Sequence, residues 1–200
     1  MDLLRVGQTL SINFQKGDNI VEMICAISAI YDDRIVIELP PYFMRYIEYL
    51  DVGCELTVKV FSKVGTLDFN TMVITSPLED EFSVELDYNA MRLTPNEEIP
   101  VVGAMENLQM IQGENIYKVK TFEISTDYLK FYSDKRFHLD DSFDCTLYLP
   151  KNYGTISFKA TVTDIDPVYE NEYTITYYNM TEKSRQALLY YMYVYSNNSD

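Results

Sequence analysis

Side chains able to do chemistry are few and scattered in this 200-residue chain. The one histidine, His138, lies in a polar stretch, RFHLDDS, with no catalytic motif around it. A histidine-based triad would have to use it. The three cysteines, Cys25, Cys54 and Cys145, form no C-x-x-C pair. A zinc site takes about four ligands, and these residues sit in separate segments. They are expected as reduced thiols buried in strands, as in an intracellular protein. Acidic pairs occur at Asp32-Asp33, Glu97-Glu98 and Asp140-Asp141. Carboxylate catalysis needs two such groups facing each other across a pocket with separated pKa values. Adjacent carboxylates in loop-like sequence read instead as solvated turn residues. No G-x-x-x-x-G-K-S/T or G-x-G-x-x-G phosphate loop is present, and no G-x-S-x-G elbow. The expectation is a chain that is not an enzyme, with no metal and no resident cofactor.

Charge narrows the partners. The formal net charge is −15, which repels nucleic acid and anionic lipid, both bound mainly through Lys and Arg. Residues 1–95 carry 7 basic and 15 acidic side chains, and residues 96–200 carry 9 and 16, so neither half is a basic binding module. Apolar residues come in short runs, none long enough to span a bilayer. The start, MDLLRVGQTL, has no charged segment followed by an apolar one, so no signal peptide is expected and the cytoplasm is the expected location.

The elements that must position any site are strands. Leu10, Ile12 and Phe14 alternate with polar neighbours, and the run from Ile20 to Ile30 follows. Asp32-Asp33 marks a turn, Ile35 to Leu39 a further strand, and Pro40-Pro41 its end. Tyr42 to Leu50 reads as a short helix or irregular crossing. Cys54 to Phe61, Thr66 to Thr75, and a last strand with Phe82, Val84 and Leu86 complete the first half. Asn89 to Gly103, with its prolines and glycine, reads as an inter-domain connection. The second half predicts strands at Met105–Gln112, Asn115–Ile124, Tyr128–Tyr132, Phe143–Leu149, Thr155–Asp164 and Glu172–Tyr178. Gly113-Glu114 and Lys151 to Gly154 read as hairpin turns. A closing helix is expected after the N-cap Thr181, with Glu182 in its first turn. Its apolar stripe is Leu188, Met192 and Tyr195, with Ala187 and Tyr191 beside it.

In that order and spacing the segments VGQTLSI, RIVIELPPY, YLDVGCELTVKVF, FEISTDYLKFYSDKRFHLDDSFDCTLYLP and YNMTEKSRQALLYYMY resemble two-domain PilZ proteins of the flagellar-brake type. The resemblance implies a mainly all-β chain of two barrel-like domains. Residues 1–95 would be a split-barrel N-terminal domain, and residues 96–200 a PilZ-like barrel closed by a C-terminal helix. It also implies two motifs that bind cyclic di-GMP. The D/N-x-S-x-x-G motif falls on Glu123, Ser125 and Tyr128. Only the serine survives; a glycine would let backbone approach a ligand closely, and a tyrosine cannot. The R-R-x-x-x-R motif falls on TPNEEIPV, with Asn96 and Pro100 at its R-x-x-x-R pair and Pro95 before them. Guanidinium groups suit that task because they grip phosphates bidentately and stack on bases. Each charge-assisted hydrogen bond contributes roughly 1.5–3 kcal/mol. Losing two or three arginines would remove about 3–9 kcal/mol, or about two to six decades of affinity.

The expected function is therefore a non-catalytic regulatory module that acts through protein contacts, in motility or cyclic di-GMP signalling, without binding cyclic di-GMP itself. The alternative is a nucleotide sensor with a non-standard site drawing on Ser125, Lys118 or Lys120, and Arg136. A small-molecule carrier or enzyme in a barrel pocket has no motif behind it.

Overall fold

The computed structural model describes residues 3–79, 83–87, 91–150, 153–169 and 171–198. They form strands almost throughout, with one α-helix, and divide into two compact units, Asp2–Thr94 and Pro95–Asp200. In the first unit the strands are β1 (Thr9–Lys16), β2 (Asn19–Ile30), β3 (Arg34–Glu38), β4 (Glu55–Phe61), β5 (Gly65–Thr75) and β6 (Ser83–Asp87). They pair in the cyclic order β1-β2-β3-β6-β5-β4, and β4 returns to β1, closing an antiparallel barrel. Alternation makes closure possible, because each strand's inward residues meet inward residues of the next. Leu10 faces Cys25, Ile12 faces Met23, and Ile12 faces Val58 on the other side. All five side chains are buried. A 3-10 helix, Pro41–Tyr49, connects β3 to β4 and buries Phe43.

The second unit repeats the plan. Its strands are β8 (Val101–Val102), β9 (Asn107–Gln112), β10 (Asn115–Ser125), β11 (Tyr128–Tyr132), β12 (Ser142–Tyr148), β13 (Thr155–Ile165) and β14 (Glu172–Tyr178). Strands β9-β10-β11-β14-β13-β12 close into a ring, and β8 adds to β10. The β9–β10 hairpin turns at Gly113, whose φ of 60° lies in the left-handed region that suits a tight two-residue turn. The helix α1 (Glu182–Asn198) begins where the Thr181 hydroxyl accepts the Ser184 N–H at 3.2 Å. This satisfies one of the first-turn donors that a helix leaves open.

Several expectations are corrected by the fold. The expected inter-domain connection, Asn89 to Gly103, contains the unit boundary at Thr94/Pro95 and also two short strands the sequence did not predict: β7 (Arg92–Pro95), which adds to β5, and then β8. Tertiary pairing overrides its proline-rich composition. Asn89, Phe82 and the first residues of the Lys151–Gly154 turn lie outside the described residues. The buried side of α1 is broader than a Leu188–Met192–Tyr195 stripe. Leu188, Leu189, Tyr191, Met192 and Tyr193 are all buried, and Tyr195 is only half-buried. The polar stretch around His138 also hides a core residue, Phe137.

The cysteines split by environment. Cys25 in β2 and Cys145 in β12 are buried, while Cys54 is half-buried just ahead of β4. Burial pushes the Cys25 thiol up to about 12, and burial, with Asp144 adding to it, does the same to Cys145, also to about 12. Only the thiolate reacts with alkylating agents. Native protein treated with iodoacetamide at pH 8 should therefore label at Cys54 first, and Cys25 and Cys145 should label only on unfolding. Peptide mass mapping reads the order, and early labelling of Cys25 or Cys145 would contradict this packing.

Candidate functional site

The short strand β8 pairs antiparallel with the end of β10, Val102 facing Ile124 and Val101 facing Ser125. That pairing carries the preceding residues, 95–100, beside the turn that follows β10. Between them lies a cavity of about 230 Å³. One wall is Pro95, Asn96, Glu97, Ile99 and Pro100; the other is Thr126 and Asp127, with Arg185 and Leu189 from α1. Asn96 is exposed and Pro100 buried. The charged groups lining it are Glu97, Asp127 and Arg185. The Arg185 guanidinium already lies 3.6 Å from the Asp127 carboxylate, with both side chains roughly half exposed. The cavity thus offers a phosphate one cation, and that cation has a partner.

Ser125 is fully buried. Its hydroxyl accepts the Asp127 N–H at 3.3 Å. Its carbonyl accepts the Tyr177 hydroxyl at 3.0 Å, and the Tyr128 carbonyl accepts the same hydroxyl at 2.9 Å. Burial holds the Tyr177 pKa well above its ordinary value, with Asp127 adding to it. One phenol therefore ties both ends of the β10–β11 turn. Tyr177→Phe should leave two carbonyls short of a donor and cost about 1–3 kcal/mol. Chemical denaturation checks this, and an unchanged midpoint would show that the phenol bonds carry no net stability.

Glu123 and Tyr128 stand on the outside of the same hairpin. Glu123 pairs with Lys130 at 3.3 Å. The Tyr128 pKa is raised by burial first and then by its hydrogen bond to Glu123. Tyr128 has ordinary backbone geometry: among described non-glycine residues only Asp140 and Asn179 have positive φ. The turn needs no glycine there, and the phenol ring takes up that part of the surface. Of the five motif positions, the cavity collects Asn96 and Pro100. Ser125 lies buried in the adjoining strand end, and Glu123 and Tyr128 form a separate outer cluster with Lys130.

Arg185 is the functional-site residue the sequence reading missed. The signal was its place in the first turn of α1, four residues after the N-cap. The cations of the alternative reading do not converge: Lys118 and Lys120 line one groove, and Arg136 lines another with Val168 and Tyr169. His138 is exposed and lies 3.8 Å from Asp141. Asp141 accepts the His138 backbone N–H at 2.8 Å and the Gln112 amide at 3.3 Å, a loop-stabilising role. Among the described residues no group of three or more His, Cys, Asp or Glu side chains is arranged to hold a metal ion, and no helix is long and apolar enough to cross a membrane.

Residues 102–194, which take in the second barrel and most of its closing helix, match the sequence model of the PilZ domain. PilZ domains are non-catalytic modules that bind cyclic di-GMP. No curated protein matches the chain. Among solved structures it is similar to the inhibitor of motility MotI/DgrA of Bacillus subtilis, at 16% identity over 98% of this chain and 99% of that one, TM-score 0.46. It is also similar to YcgR of Escherichia coli in complex with c-di-GMP, at 10% identity over 95% of this chain and 85% of that one, TM-score 0.45. A third is the MrkH–c-di-GMP complex of Klebsiella pneumoniae, at 13% identity over 91% and 84%, TM-score 0.37.

Proposed function

We propose that this protein is a regulatory module of the flagellar-brake kind that acts in the cytoplasm through protein contacts, in motility or cyclic di-GMP-related signalling, and has itself lost cyclic di-GMP binding. On this reading residues 1–95 and 96–200 work as separate domains. The observation that carries it is the charge of the cavity between Asn96–Pro100 and Thr126–Asp127. A dianionic ligand would meet Glu97 and Asp127 there, and a single guanidinium already engaged by Asp127. Tyr128 narrows the neighbouring surface where a glycine would leave room.

Isothermal titration with cyclic di-GMP at physiological salt is the test. The expected result is no saturable heat below about 10 μM, which corresponds to roughly −7 kcal/mol. Tighter binding would overturn the reading. One observation favours the second reading, a sensor with a non-standard site: Arg185 does face the cavity. Its signature would be saturable binding abolished by Arg185→Ala. The partner expected on the first reading is a protein with basic patches, matched to a chain of net charge −15.

A further inference from the structure

A groove on the second barrel has the opposite character. It has a volume of about 440 Å³, lies across β9, β10 and β12, and shares no lining residue with the cavity beside α1. The strand register sets out its floor. Lys120 faces Asn107, which in turn faces Tyr148; Lys118 faces Gln109, which faces Thr146. Both lysines are exposed.

The charges there are uncompensated. Three other cations of this unit are paired: Lys130 with Glu123, Lys159 with Asp144, Arg185 with Asp127. Among the described residues Lys118 and Lys120 have no such partner, and no carboxylate lines the groove. The neighbouring acid, Glu106, is taken up by the Tyr191 hydroxyl at 2.7 Å. Two like charges two residues apart on one strand face, about 7 Å between Cα atoms, repel each other. In a chain of net charge −15, a pair of lysines on a groove lined by no carboxylate makes this patch locally positive.

The remaining groups complete a donor surface. The Tyr148 hydroxyl donates to the Gln109 side-chain oxygen at 3.3 Å. That bond occupies the amide's acceptor and leaves its NH₂ to donate. It also fixes the Tyr148 ring, 41% exposed, at the groove margin. Two ammonium groups and an amide donor beside a flat exposed ring suit a phosphate group joined to a planar ring system.

We propose that this groove binds a phosphate-bearing ligand of the nucleotide class, with Lys118, Lys120 and Gln109 on the phosphates and Tyr148 under the ring. The proposal goes beyond the reading of the α1 cavity, which uses none of these residues. The test is titration of the full chain with ADP, with inorganic pyrophosphate and with adenosine, followed by calorimetry or amide chemical shifts. ADP should bind, pyrophosphate more weakly, and adenosine not measurably. Lys118→Ala and Lys120→Ala should each weaken ADP about tenfold, the loss of one charge-assisted contact. Tyr148→Leu should bring ADP down to the level of pyrophosphate. The lysines are exposed, so these variants should keep the wild-type melting temperature. Absence of ADP binding at millimolar concentration overturns the proposal. So does ADP binding that survives the double lysine variant, or that is lost with Arg185→Ala instead, which would place it in the α1 cavity. Pyrophosphate binding as tight as ADP and indifferent to Tyr148→Leu overturns it as well.

Discussion

Leu188→Asp is expected to cost the second unit more than about 4 kcal/mol, a large share of the roughly 5–15 kcal/mol that holds an ordinary domain folded. Leu188 is 1% exposed and flanked on α1 by the buried Leu189, Tyr191 and Met192. A carboxylate placed there would be desolvated among apolar groups, and a buried charge with no partner is among the costliest substitutions. Calorimetry should show the second unit's transition lost or shifted far down. An unchanged transition would mean that α1 leaves the barrel readily, and its packing would then carry no stability. Leu188→Met, close in volume, is the control and should cost under about 1.5 kcal/mol.

The second large effect is expected at Phe137. Its ring meets four others within the second barrel: Tyr117 at 5.1 Å, Tyr173 at 5.2 Å, Phe143 at 5.3 Å and Phe131 at 6.0 Å, all at steep angles. Such edge-to-face contacts add to the burial of a large apolar surface. Phe137→Ala should leave a void in this cluster and cost about 3–5 kcal/mol. Urea denaturation followed by tyrosine fluorescence reads it, and a loss under about 1 kcal/mol would show that the cluster collapses to fill the space.

Phe137 also shows where the sequence stopped being legible. Strands with long alternation, such as Leu10-Ile12-Phe14 and Leu56-Val58-Val60, could be read directly, because burial of one face dictates the period. Phe137 belongs to no periodic run, and its flanking Arg136 and His138 are exposed. Only closure of the barrel brings it to Phe131 and Tyr173. The strands β7 and β8 were hidden for a related reason. Four residues and two residues are too few to show alternation, and their pairing is decided by the neighbours β5 and β10. At the candidate site, Asn96 and Pro100 could be placed by motif spacing. Arg185 could not, because it enters from a helix some 85 residues downstream in the chain.

Ring closure has a kinetic consequence. In an open sheet the outermost strand can peel away by giving up one set of hydrogen bonds. In each of these barrels every member of the ring is held on both sides, so removing any strand breaks two seams at once. Fraying has no cheap starting point except at β7, at β8 and at the ends of the hairpins. Amide hydrogen exchange should therefore be banded, not graded along each strand. Amides of the ring strands in one unit should exchange together at the rate of that unit's full opening, and those of Arg92, Leu93, Thr94, Val101 and Val102 should exchange well before them. The protein would then offer proteases and chaperones few partly open forms between native and unfolded.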